Sequence, residues 1–365
     1  MGSMFSSLRS VKAWIGLDGF IDKIMLPVQT RTGMGNAFKP YESLKDFGQR
    51  IQMASGSNLN IELFEKIEKM GGNGPLLANA MVNLGVNVRY VGTLGLPVHP
   101  LFQNFAKKTK AISLGNYGET CALEFSDGKL ILGNTQVLDQ ITYERLEQFI
   151  PKDQWIQTYT ESSLISWQNW TMMIHMTEIL KSVLSDIWPY VENKTKRICF
   201  FDLADPAKRS YESLKCFLDL LPKFRDKSNV FLGLNRAEAR YVGGLLGLNF
   251  PKHMMDASSY GWIRDLQRKL NIDGIFVHCC DGALAVVRNE IAFEPAQPAK
   301  CLTCLTGSGD HFNAGCLSGL LMNLSLAQCL RLGHITSVLY IESGQSPTLE
   351  SVEHFYLNNT KQERM

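Results

Sequence analysis

Two periods alternate along this chain. Short runs of consecutive apolar residues fall at 13–17, 88–92, 163–166, 197–202, 229–232 and 274–278, the signature of strands buried on both faces. Between most of them lie segments whose apolar residues recur with helical spacing, such as 143–149, 172–191 and 260–270. That order predicts an α/β fold, a doubly wound and mostly parallel central sheet flanked by helices. No repeat, low-complexity tract or linker divides the sequence, so a single domain over residues 4–365 is the economical reading, with Met1 to Ser3 set aside as a cloning remnant.

One segment breaks the alternation. Residues 120–135, TCALEFSDGKLILGNT, carry apolar side chains at every second position on both sides of an Asp127-Gly128 turn, which predicts a hairpin outside the main sheet. It is either a small β lid over a ligand or an ordinary surface hairpin, with residues 59–70 as a candidate second contributor. Residues 23–60 show little pattern beyond a helix over 41–51, with loop around it.

Composition narrows the classes. Of 365 residues, 45% are hydrophobic and 20% charged, enough apolar side chain to offset the entropy of ordering. With 37 basic against 35 acidic residues the net charge is +2, which gives no footprint for nucleic acid or an anionic membrane, so any polyanion must be small and locally held. No run approaches the ~20 apolar residues of a membrane span, and the first residues lack the apolar core of a secretory signal, so the cytoplasm is expected. The nine cysteines are scattered and odd in number, which suits reduced thiols. Cys279 with Cys280 and Cys301 with Cys304 read as buried free thiols; a zinc site would need the two groupings to meet.

The sharpest chemical feature is Thr306-Gly307-Ser308-Gly309-Asp310. The residues that follow, with Phe312, Cys316, Leu320 and Leu324 four apart, make the glycines the opening of a helix. Unpaired amides at such an end stabilise phosphate charge. Asp310 there is either a residue that complements the helix dipole or a proton acceptor for a hydroxyl attacking the phosphate. The spacing is neither that of a Walker A loop nor that of the dinucleotide fingerprint. A second glycine turn, Gly71-Gly72-Asn73-Gly74, precedes a helix that ends at Leu84-Gly85; it is a well-capped start or a mouth where a ligand approaches the glycines and Asn73. Asp18 and Asp22 flank Gly19 at the carboxyl end of the first predicted strand, where open α/β sheets bind ligands. They are solvated charges or acceptors for vicinal sugar hydroxyls.

In this order the features resemble the ribokinase-like (PfkB) family of carbohydrate and nucleoside kinases, from about residue 13 to about residue 350. The resemblance implies ATP and Mg2+ as cofactors and transfer of the γ-phosphoryl group to a hydroxymethyl group of a sugar. It makes Asp310 the catalytic base and the amides of Gly307, Ser308 and Gly309 the anion hole. Asp18, Asp22, Gly71, Gly72, Asn73 and the lid residue Leu123 fall at the sugar. Asn235-Arg236-Ala237-Glu238, by itself a routine helix cap, resembles the family's Asn-x-x-Glu, in which Glu238 would hold magnesium through water. Thr306, Gly282, Gly333, His334 and Ser337 would lie along the nucleotide.

The departures are specific. Leu76 stands where the family often has an amide, with Asn73 or Asn79 as substitutes. Cys304 replaces an acidic residue, which weighs against a bound monovalent cation. The segment His278-Cys279-Cys280-Asp281-Gly282 is one residue short and lacks a glycine of the usual nucleotide loop, and 23–70 is longer than in compact members. Leu76, Leu123 and Phe125 leave a nucleoside kinase of the same fold as an alternative; the altered loop and Cys304 leave a non-catalytic sugar or nucleotide sensor as another. Family lids often pair, so a homodimer through the lid is compatible with the hairpin.

Overall fold

The structure is a computed structural model that describes residues 4–194, 197–252 and 257–362. Its strands, in chain order, are β1 (Lys12–Leu17), β2 (Phe20–Arg31), β3 (Phe38–Pro40), β4 (Leu63–Gly71), β5 (Asn87–Gly92), β6 (Ile112–Ser113), β7 (Gly118–Phe125), β8 (Gly128–Asn134), β9 (Leu164–Trp167), β10 (Ile198–Asp202), β11 (Asn229–Asn235), β12 (Gly274–His278), β13 (Gly282–Val287) and β14 (Glu290–Pro295). Nine of them form one sheet in the order β14-β13-β12-β11-β10-β9-β1-β5-β6. Pairing is parallel from β12 through to β6, and β13 and β14 add an antiparallel edge.

The side-chain alternation of β1 shows why these strands read as unbroken apolar runs. Trp14 enters the core layer on one face with Trp155, Trp167 and Phe201, while Ala13 and Ile15 enter the other with Leu77, Phe312 and Ile335. Helices cover both faces, as the doubly wound reading requires. Among the described residues no helix is long and apolar enough to cross a membrane.

A second sheet stands apart, in the order β3-β2-β7-β8 with β4 also paired to β2. The lid is therefore larger than the hairpin at 120–135. Residues 23–60, expected as loop around one helix, instead supply most of the twelve-residue β2 together with β3. The contribution expected from 59–70 is β4, which runs antiparallel to β2 while β7 lies parallel on its other side. The hairpin turn is Ser126-Asp127 rather than Asp127-Gly128, because Gly128 pairs with Phe125. The Asp127 carboxylate instead accepts from the Leu44 and Lys45 amides at the start of the helix Leu44–Gln52.

Two further expectations change. The helix expected over 172–191 is Met176–Ser182, continued by a π turn, Val183–Ile187, and a 3-10 turn that contains Pro189. All nine cysteines are free, but Cys280 and Cys301 are exposed rather than buried. Among the described residues no group of three or more His, Cys, Asp or Glu side chains is arranged to hold a metal ion, so the cysteine pairs do not meet as a zinc site.

Candidate active site

The site lies where β1 stops and the chain crosses to the lid. Asp18 follows β1 and is fully buried. Its carboxylate accepts from the Asn73 amide at 3.0 Å, the Gly74 amide at 2.8 Å and Asn169 Nδ2 at 2.8 Å. It thus caps the helix Asn73–Asn83 from a distant part of the chain, and these donors occupy oxygens that the sequence reading assigned to sugar hydroxyls. Burial pushes its pKa up to about 6, against the pull of Asn169 and the two amides. Gly72 precedes the helix at φ 94°, and a Cβ on Gly71 would lie 2.2 Å from the Asp22 carboxyl carbon, so the turn passes directly over both acids.

Asp22 sits in the middle of a cross-strand row on the lid, with Lys69 of β4 on one side and Thr120 of β7 on the other. Thr120 Oγ1 donates to it at 2.5 Å. Burial raises its pKa, while Thr120, Lys69 and Lys129 lower it. Alternation along β7 places Leu123 on the opposite face from Thr120. That face is covered by the helix Leu44–Gln52, where Phe47 stacks on Phe125 at 5.4 Å. Leu123 is thus part of a small lid core and not of the cleft, because three residues along a strand reverse the side chain.

On the body side, the helix Ser308–Leu321 opens at Gly307, which has φ 98° and no side-chain cap. Asp310 lies in its first turn, buried, and accepts from Asn73 Nδ2 at 3.0 Å. This bond joins the two glycine turns. Burial raises the Asp310 pKa well above the ordinary carboxylate range; Asp18, Asp22 and Glu238 add to the rise and Asn73 opposes it. The direction is that of a stronger proton acceptor. Leu76, in place of an amide, packs its methyl against Gly307, where an added Cβ would meet it at 2.6 Å.

The Asn-x-x-Glu forms a capping box. Asn235 Oδ1 accepts from the Ala237 and Glu238 amides, and Glu238 accepts from the Asn235 amide at 2.8 Å and the Asp205 amide at 3.0 Å. Asp202, at the end of the neighbouring strand β10, is also buried; burial raises its pKa, followed by the charges of Glu238, Asp310 and Asp18. Several carboxylates within electrostatic reach of one another favour a cation among them. Asp202 Oδ1, Thr306 Oγ1 and Asn313 Oδ1 are buried without a hydrogen-bond partner in the protein. A hydrated magnesium polyphosphate fits this donor and acceptor set.

The remaining residues that the resemblance assigned to the nucleotide gather at the same end of the sheet. His278 at the end of β12 lies 3.0 Å from where a Gly309 Cβ would be, and its ring is 5.3 Å from that of Phe312. Phe312 also packs on His334, which bonds to the Glu294 carbonyl. Gly282 and Gly333 are pressed by neighbours, the former by Phe293 and the latter by Cys316 and Phe312, so packing by itself requires glycine at both. Ser337 lies one turn beyond Gly333 on the helix Leu326–Ser343 and is half-buried. Thr120, Asn169 and Asp202 went unread as site residues in the sequence: each is a single polar residue on or just beyond a strand whose partners come from distant segments.

Comparison with known proteins bears on the family and the fold. A family model described as prokaryotic ketohexokinase matches residues 3–359. The ketohexokinase of Haloferax volcanii is 24% identical over 345 residues, covering 93% of this chain and 89% of that protein. Among solved structures, the ribokinase of Thermotoga maritima superposes with a TM-score of 0.61 at 17% identity, covering 95% of this chain and 99% of that one. A probable sugar kinase from Rhizobium etli gives 0.63 at 15%, covering 97% and 99%. A nucleoside kinase of Methanocaldococcus jannaschii gives 0.62 at 14%, covering 95% and 98%, so the ribokinase fold is shared across substrate classes. The chain belongs to the prokaryotic ketohexokinase family and is an ATP-dependent sugar kinase, a phosphotransferase with an alcohol group as acceptor.

Proposed function

We propose that the protein transfers the γ-phosphoryl group of ATP to a terminal hydroxymethyl group of a ketohexose, with Asp310 as the general base. The observation that carries this reading is the bond from Asn73 to the buried Asp310, which sets the only acid of the uncapped glycine turn beside the acids that follow β1. Asp310 takes the proton of the attacking hydroxyl, and its raised proton affinity suits that task. The amides at Gly307 and Gly309 face the charge that builds on the transferring group, with the positive end of a fourteen-residue helix behind them, whereas the Ser308 N–H, expected beside them, donates to the Leu305 carbonyl at 3.3 Å. Asp22, held by Thr120 on the lid, accepts sugar hydroxyls. Asp18 acts by fixing the 72–74 turn. Glu238, Asp202 and Thr306 would hold hydrated magnesium and the phosphates, and the metal would supply neutralisation of phosphate charge. Gly282, Gly333, His334 and Ser337 border the nucleotide.

The lid face that carries Asp22 and Thr120 also carries a row across four strands whose inner members, Ile24 and Ala122, are buried and whose ends, Ile67 and Ile131, are 46% and 43% exposed. We assign the exposed ends of this row to pairing with a second copy of the chain, which sedimentation of the parent against Ile131→Lys tests by a shift from dimer to monomer. Nine free thiols are in keeping with the cytoplasm. The decisive assay is ADP release across ketohexoses, aldoses and nucleosides. A ketohexose should be preferred, and Asp310→Asn should bind ATP yet turn over at least ~10²-fold more slowly. Preference for a nucleoside, or Asp310→Asn near parental turnover, would overturn the assignment.

A further inference from the structure

Lys69 is a lysine whose position the phosphotransfer scheme does not explain. It lies on lid strand β4 beside Asp22, yet its ammonium leaves the lid and reaches the far side of the catalytic turn. There Lys69 Nζ donates to Tyr340 Oη at 2.9 Å and to the Thr306 carbonyl at 3.4 Å, and lies 2.7 Å from Cys304 Sγ. Tyr340 Oη donates onward to the same Thr306 carbonyl at 2.8 Å, and its ring stacks on His311 at 3.7 Å. His311 Nδ1 in turn holds the Gly307 carbonyl at 2.7 Å, with its other nitrogen on Ser346, which also accepts from Asn79.

The Thr306 carbonyl and the Gly307 N–H belong to one peptide plane and point in opposite directions. A positive charge and a hydroxyl fixed on the oxygen therefore aim and polarise the N–H on the other side, where the helix start faces phosphate. A bare carbonyl at this place would attract a free cation. Here a side chain supplies the charge, and the thiol of Cys304 lies beside it.

We propose that Lys69 is a positioning residue whose ammonium serves as a built-in monovalent cation for the turn 306–309, holding the Gly307 amide towards the transferring phosphoryl group and tying the lid to it. The inference rests on the kinase reading, and its test separates the two. Turnover with ATP and the best sugar is measured at constant ionic strength in choline, sodium and potassium chloride for the parent, Lys69→Met, Lys69→Arg and Tyr340→Phe. The parent should vary by less than about twofold among salts. Lys69→Met should lose roughly 10–100-fold in kcat, somewhat less than deletion of an anion-hole donor, with KM changed by less than about threefold. Potassium or methylammonium should restore at least about fivefold to Lys69→Met, and Lys69→Arg should keep turnover within about fivefold of the parent. Tyr340→Phe should show the same pattern more weakly. Parent activity that needs potassium, or Lys69→Met at parental kcat, overturns the proposal. If the parent phosphorylates nothing, the kinase reading fails by itself. Amide exchange then decides on Lys69: residues 306–309 should exchange at least about tenfold faster in Lys69→Met, and unchanged exchange refutes the role.

Discussion

The two glycine turns look alike in sequence and differ in what occupies their amides. At the helix Asn73–Asn83 the first amides are taken by a carboxylate of the protein itself, Asp18. At the helix Ser308–Leu321 no side chain caps the start. A helix start closed by its own acid is a structural joint, and one left open to a ligand is an anion site. Glycines alone do not distinguish them; the partner does, and it comes from another part of the chain. Asn73 then links the closed turn to the open one through Asp310.

Perturbing each turn should expose this difference. The largest effect is expected from Gly307→Ala, which places a Cβ at φ 98° and 2.6 Å from Leu76. Turnover should fall roughly hundredfold as the amides shift, with a stability cost of about 1–3 kcal/mol by melting. Parental kinetics would show that the turn is not the anion site. Asp18→Ala should have the reverse profile, about 2–4 kcal/mol of stability lost with the cap and an unpaired Asn169, and a smaller effect on kcat. A large loss of kcat without a change in melting would make Asp18 a direct ligand of the substrate.

The smallest effect is a displacement of the acid limb of kcat/KM, which reports ionisation of the free enzyme. Asn73 donates to Asp310 and lowers its pKa, so Asn73→Ala should move the limb to higher pH. Asp18 raises the same pKa by its charge, so Asp18→Asn should move the limb to lower pH. Shifts of the same sign from both variants would mean that another group governs the limb.

Much of the body was legible because β1, β9, β10, β11 and β12 are buried on both faces and read as plain apolar runs. The lid was not. β2 buries Phe20, Ile21 and Asp22 in succession and contains Pro27, so neither alternation nor a clean apolar run marks it. β4 is mostly exposed and charged, and only its pairing with β2 makes it a strand. The site divides in the same way. Asp310, Gly307 and Asn73 could be placed from local spacing, whereas the engagement of Asp18 and the reach of Lys69 depend on contacts across 55 and 237 residues, which no local pattern encodes.

Only Asp18 and Gly19 separate the central strand β1 from the lid strand β2. The junction of lid and body is thus built into a helix clasp: any movement of the lid about it would pull on the same carboxylate that keeps residues 73 and 74 in place. Access to the cleft and integrity of the body share one fastening, and a substitution that frees the flap there also loosens the wall behind it.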